Sequence, residues 1–421
     1  MLYKPFGMSH LVLGCMLLGG GAYAQTTEER ITELERRIQI LGAELERERM
    51  GDVFLPATES RYGLGPAASK IYAKEQGLSI GGYGEALYQN FEGETPSEAD
   101  FLRAVLYIGH KFSDRWVLNT EFEFEHASTS EEGSVSVEFA YIDYLWDEAV
   151  NFRAGLVLIP MGFINEYHEP TTFYGARRPD IESVIIPSTW RENGAGVFGE
   201  VGDFSYKAFV VNGLQGEDFH PDGLRGGRQK GSEALAEDLA GVVRLDWHGV
   251  PGLTLGVAGY YGGSGQDLEV SVDTFIAEAH AEWRWRGLSV RGLAVQAELD
   301  DVAALNRLVA ADREPPVADA EIQSIGETLS GWYIEAGYDV LNEVDAGELA
   351  VIPFIRYEAY DTQAEVPDGF ASSDRYQADV LTLGLNIKPI DELVFKAEYQ
   401  MYDRGDDSGI NQFNLGMGYI F

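Results

Sequence analysis

The chain has 421 residues, with 31 Lys and Arg against 69 Asp and Glu and a formal charge of -38, which argues against a nucleic-acid partner. Beyond the N-terminus no apolar run reaches the 18 or more residues that read as a transmembrane helix. Forty-nine glycines and 12% aromatics, without sustained helical periodicity after residue 50, lean towards an all-β chain.

Residues 1–24 read as a secretory signal. Lys4 supplies the positive end, Leu11 to Leu18 the apolar stretch, and Ala22-Tyr23-Ala24 a small-x-small cleavage site. The single cysteine, Cys15, lies in that apolar stretch, so cleavage after Ala24 leaves a chain with no disulfide; a lipobox reading of Val12-Leu13-Gly14-Cys15 is the alternative. Residues 25–50 contain the one convincing helix, TEERITELERRIQILGAELERER. In it Ile31, Leu34, Ile38, Leu41 and Leu45 repeat at spacings of three and four, as a coiled-coil seam requires. So short a seam assembles weakly alone, and a helix packed on a larger body is the competing reading. Residues 51–77 read as a linker.

From Leu78 the pattern has period two. Sixteen strands are expected, at 78–89, 99–112, 115–127, 135–146, 149–159, 194–201, 203–213, 238–247, 252–262, 270–285, 287–298, 330–342, 348–361, 374–388, 392–403 and 410–421. In 332–340, Trp332, Ile334, Ala336, Tyr338 and Val340 alternate with Tyr333, Glu335, Gly337 and Asp339. One face therefore meets an apolar medium and the other a polar one. A charge on a lipid face costs roughly 2–4 kcal/mol for Arg or Lys at mid-membrane, so the charged series must face inward. The fourth strand breaks the rule: Glu138 and Asp143 fall on opposite faces, so it either contains a bulge or ends early.

The connections alternate strictly between short turns (112–114, 147–148, 202–203, 248–251, 286–287, 342–347, 389–391) and longer polar loops. That segregation is the mark of an outer-membrane barrel. The expected fold is all-β, a 16-stranded antiparallel transmembrane β-barrel over 78–421. An apolar face running to Phe421 resembles the terminal signal of such barrels. The acidic surface suits contact with divalent cations and polyanionic lipid.

The unusual connection is 160–193, PMGFINEYHEPTTFYGARRPDIESVIIPSTWREN, with four prolines and no alternation. A structureless connection this long is uncommon unless functional. It is expected to fold into the lumen and narrow a pore; a cover over the barrel mouth is the alternative. Its charged residues Arg177, Arg178, Arg191, Glu166 and Glu169 are the candidate solute contacts, the arginines as charge-assisted donors to an oxyanion. Sixteen strands enclose water, and inward charges then select solutes. The inward bases are Arg103, Arg153, Lys207, Arg244, Arg284, Arg291, Arg356 and Lys396. The inward acids, at least as numerous, include Glu121 and Glu123.

The stretch from Phe152 through Gly194, with IPMGFINEYHEP, YGARRPD and IIPSTWRENGAG, resembles the phosphate-selective porin O and P family. The leader, helical segment, strand count and terminal Phe agree. The resemblance implies a homotrimer in the bacterial outer membrane, embedded in its lipid and lipopolysaccharide, with the third loop folded inward and an anion path lined by Arg and Lys. No Ser/His/Asp spacing or Cys/His cluster points to an enzyme, a cofactor or a metal site. His168 reads as a solvated loop histidine, and Gly81-Gly82-Tyr83-Gly84 as close packing within a strand. The expected function is passive diffusion of small hydrophilic solutes or ions, anions such as phosphate included. The rival is a structural anchor whose N-terminal helix, roughly 35 Å long at 1.5 Å per residue, reaches towards the cell wall.

Overall fold

A computed structural model describes residues 36–38, 59–128, 133–311 and 318–421. The expected signal 1–24 and most of the expected coiled-coil helix lie outside these residues. The chain divides between Gly51 and Asp52 into two units, and of the first only Arg36–Ile38 are described, as helix.

The second unit is a closed antiparallel barrel of sixteen strands. They are β1 (Gly77–Phe91), β2 (Glu98–Lys111), β3 (Trp116–Glu125), β4 (Ser134–Leu145), β5 (Asn151–Leu158), β6 (Arg191–Val201), β7 (Phe204–Asn212), β8 (Leu239–Val250), β9 (Leu253–Gly263), β10 (Asp273–Trp285), β11 (Leu288–Leu299), β12 (Thr328–Tyr338), β13 (Ala350–Glu365), β14 (Gln377–Ile390), β15 (Leu393–Arg404) and β16 (Gln412–Ile420). Each strand pairs with its sequence neighbour, and β1 closes the ring on β16 with Tyr83 opposite Ile420. The last residue seals that seam, because Gly82 and Phe421 exchange backbone hydrogen bonds of 3.1 and 2.9 Å.

Alternation dictates the two faces. On β12, Trp332 and Ile334 are 47% and 49% exposed, whereas Tyr333 and Glu335 are each 1% exposed. The outer surface is thus apolar and the ionisable side chains point inward, the inverse of a soluble protein. On β4 the bulge reading holds: opposite β3, Glu121 pairs with Phe139 and Phe122 with Val137. Glu138 is the extra residue, and the bulge turns both it and Asp143 inward, where each is buried.

Among the described residues of this unit, three short α-helices accompany the strands: α1 (Pro66–Ala73) before β1, and α2 (Ile181–Val184) and α3 (Val302–Ala310) in connections. The first lies within the stretch read as a linker. The short turns mark the periplasmic end and the long loops the extracellular end. At the latter, Leu305 of α3 is fully buried against loop 213–238, its side chain lying near Gly216.

Candidate functional site in the lumen

Residues 159–190 leave the wall between β5 and β6 and lie against inward-facing side chains from across the barrel. The neck is tied by Asn165, whose Nδ2 donates to Ile159 O (2.7 Å) and Trp190 O (2.8 Å) while its Oδ1 accepts from Trp190 N (2.7 Å). An irregular segment has backbone groups that need partners when buried, and here lumen side chains provide them. Glu398 of β15 accepts from the amides of Ala176 (2.9 Å) and Arg177 (3.1 Å). Lys396 donates to the carbonyls of Phe173 (2.9 Å) and Gly175 (2.8 Å). Arg244 donates to Gly162 O at 2.6 Å, and Glu358 accepts from Ile181 N at 3.3 Å. Within the loop, Glu182 accepts from Phe163 N (2.8 Å), Ile164 N (2.7 Å) and Tyr333 OH (2.6 Å).

These anchors divide the inward charges by role. Arg356, fully buried, bonds Glu358 at 2.8 Å and Glu335 at 3.3 Å, and Arg291 reaches Glu335 at 2.7 Å. Arg153 forks onto Asp143 at 2.8 and 2.9 Å, Lys207 pairs with Glu166, and Arg103 lies 3.4 Å from both Glu85 and Glu123. Glu121 meets His168 at 3.2 Å. His168 is therefore buried rather than solvated, and burial together with the nearby Arg178 lowers its pKa.

Three of the expected loop contacts are occupied. Arg191 is the first residue of β6, not part of the loop, and ion-pairs with Glu138 inside the wall. Glu166 is engaged by Lys207. Glu169 accepts from the backbone N–H groups of Ala67 (3.1 Å) and Ala68 (2.9 Å) in the first turn of α1. Burial raises the Glu169 carboxyl to about 7 despite those donors. In the folded chain it keeps its proton up to about 7, whereas the unfolded carboxyl loses it in the ordinary acid range, so stability falls as pH rises through that window and levels off above it. The unfolding midpoint is expected to be higher at about pH 5 than at about pH 8, and Glu169→Gln is expected to flatten that slope; an equal slope in the variant removes Glu169 as its source.

Arg177 and Arg178, both half-buried, stay on the wall of a cavity. They line an outer space of about 510 Å³ with Arg103, Arg225 and Arg404, faced by Glu85, Asp180 and Asp222: five guanidinium groups against three carboxylates. On the periplasmic side of the loop, Thr171 to Tyr174 line a second space of about 620 Å³ with Arg284, Arg286, Arg291 and Lys388 against Glu282, Asp391 and Glu392. A third, of about 630 Å³, is balanced, with five bases, Lys207 and Arg244 among them, against five carboxylates. The acids largely hold the loop and pair with fixed bases, leaving an excess of cations at the outer space and the second one.

Arg225 and Arg228, from the loop between β7 and β8, were not among the expected site residues. Both donate to Ser188 O at 2.6 Å, and Arg228 also to Thr189 Oγ1 at 2.6 Å. Burial and then neighbouring cations lower the pKa of each, Arg228, Arg178 and Arg103 acting on Arg225. That crowding of like charge is what an anion would relieve. The available signal was the run Arg225, Arg228, Lys230 in an otherwise acidic loop.

A closed sixteen-strand barrel, apolar outside and charged within, crossed by its third long loop, defines a porin-type barrel of the outer membrane. The chain is 33% identical over 380 residues to an uncharacterized protein of Aquifex aeolicus (strain VF5), covering 88% of this chain and 86% of the relative, and it belongs to one family with that protein. No family model matches it. Similar solved folds include an anion-selective porin from Comamonas acidovorans (TM-score 0.54, 12% identity, 82% of this chain and 100% of that one). OmpF of Salmonella typhi, in complex with daunomycin, has TM-score 0.54 at 12% identity, covering 83% and 99%. OmpT of Vibrio cholerae in its trimer form has TM-score 0.50 at 13% identity, covering 83% and 100%.

Proposed function

We propose that this protein is a passive diffusion channel for small hydrophilic solutes that prefers anions. The observation that carries the reading is the sorting of charge in the lumen. Carboxylates accept loop amides or neutralise fixed bases, Arg103 among them, while Arg177, Arg178, Arg225 and Arg404 stand with Arg103 around the space outside the third loop, five guanidinium groups against three carboxylates. Fixed cations at a narrow place favour anion entry, whatever the sign of the whole chain. An oxyanion such as phosphate is the solute class that guanidinium groups bind best, in line with the resemblance to phosphate-selective porins O and P. Homotrimeric assembly belongs to this reading, supported by the trimer form of the Vibrio cholerae neighbour. No step of it requires a catalytic group or a cofactor.

The test is single-channel conductance of the purified protein in planar bilayers, with the reversal potential under a KCl gradient. A chloride-favouring channel that phosphate blocks is expected. Potassium preference would reject the anion reading, and silence from folded protein would reject the channel itself.

A further inference from the structure

The barrel holds a second inward element. Six of the eight residues of α1, Ala67 to Tyr72, are buried, inside the periplasmic half of the lumen against β1 to β5. Its contacts are specific along its length. Asn119 of β3 donates to Ala68 O at 3.0 Å, and Lys70 Nζ donates to Ile80 O of β1 at 3.0 Å. The Tyr72 hydroxyl donates to Asp143 Oδ2 at 2.6 Å and accepts from Arg153 at 3.0 Å. At its end Lys111 of β2 donates to Lys74 O at 2.6 Å.

The wall is shaped to receive it. A Cβ on Gly109 of β2 would lie 2.8 Å from Ile71 Cβ, and one on Gly81 of β1 would lie 3.0 Å from Ala67 O. Gly65, just before α1, leaves room for Glu169: a Cβ there would stand 2.3 Å from its carboxyl carbon. The two Glu169 carboxyl oxygens then satisfy two orphan amides of the first turn, so α1 and the third loop hold each other. The two inner spaces lie on the far side, along β6 to β16, with Pro66 at the edge of one and Tyr62 and Gly63 at the edge of the other.

We propose that α1 is a built-in plug that, together with the third loop, sets the size limit of the channel. It closes the β1–β5 side of the inner lumen and confines solutes to the β6–β16 side. A helix with its side chains is about 10 Å across, a large part of the cross-section of a sixteen-strand lumen. The inference rests on the channel reading above.

The test uses the full chain with Cys15→Ser throughout. Gly109→Leu drives a side chain into Ile71 and is expected to unseat α1. An Ile71→Cys substitution reports this: its thiol is protected from a water-soluble maleimide in the parent and reactive when Gly109→Leu is added. Unseating is expected to raise single-channel conductance on the order of twofold and to admit larger sugars in liposome swelling. Oxidised Ile71→Cys/Gly109→Cys, whose Cβ atoms need only about 1 Å of relaxation to reach disulfide spacing, is expected to conduct like the parent. An unseated helix with unchanged conductance overturns the proposal. So does a locked protein that conducts less than the parent, or a Gly109→Leu protein in which position 71 stays protected. A silent parent opened by Gly109→Leu supports it as a complete plug. Silence of both folded proteins rejects the channel reading and the plug with it.

Discussion

Arg356→Met is expected to destabilise the barrel by about 3–5 kcal/mol and to loosen the third loop. Arg356 is fully buried and bonds Glu358 at 2.8 Å and Glu335 at 3.3 Å. Its two NH groups also approach Arg177 O at 3.5 Å. Without it Glu335 keeps only Arg291, at 2.7 Å, and Glu358 is left beside Asp180 with no cation bonded to it. Leaving a buried charge uncompensated is what makes such a substitution costly, whereas a matched pair contributes little net stability. The measurement is denaturant unfolding in detergent micelles, paired with current noise in bilayers. A midpoint within experimental error of the parent would show that Arg356 is dispensable. A lower midpoint with quiet current would confine its role to the wall.

Arg178→Met is expected to do the opposite: little change in stability and a large change in ion preference. One terminal guanidinium nitrogen of Arg178 is buried without a hydrogen-bond partner, and the side chain lines the outer space beside Arg103 and Arg225. Its charge therefore acts through the field more than through a bond. A unit charge 4 Å from an ion contributes about 1 kcal/mol even at the dielectric constant of bulk water, favourable for an anion and unfavourable for a cation, so the anion-to-cation permeability ratio is expected to fall by about 2 kcal/mol, on the order of 30-fold. The shift should shrink at high salt, where screening shortens the range of the field. Reversal potentials at low and high KCl measure both effects. An unchanged ratio at low salt would move selectivity to the other arginines of that space. A collapse of stability would mean that Arg178 braces the loop.

The contrast between these two arginines explains how much was legible in advance. Both stand out in the sequence as charges in an otherwise alternating or irregular context, but alternation reports only which face a residue takes. It placed Arg356 and Glu358 on one face, and the structure bonds them there at 2.8 Å. It had no means to report that Glu398 would accept loop amides, or that Glu169 would cap a helix about a hundred positions earlier in the chain. Arg225 and Arg228 were passed over for the same reason. Nothing local distinguishes a loop that leans into the lumen from one that stays outside.

The strand count, the inward and outward faces and the segregation of short turns from long loops came from the amino-acid order alone. Each depends on period-two patterning or local turn chemistry, which act between near neighbours. The bulge at Glu138 was half visible, as a conflict of faces at Glu138 and Asp143 that the register opposite β3 resolves. The seat of α1 and the division of the lumen charges were decided by the closed barrel. Ring closure brings Glu398 of β15 to the amides of Ala176 and Arg177, and the inward neck brings Glu169 to α1. Such partners are set by three-dimensional proximity and by the need of every buried amide for an acceptor, a condition that sequence spacing does not encode.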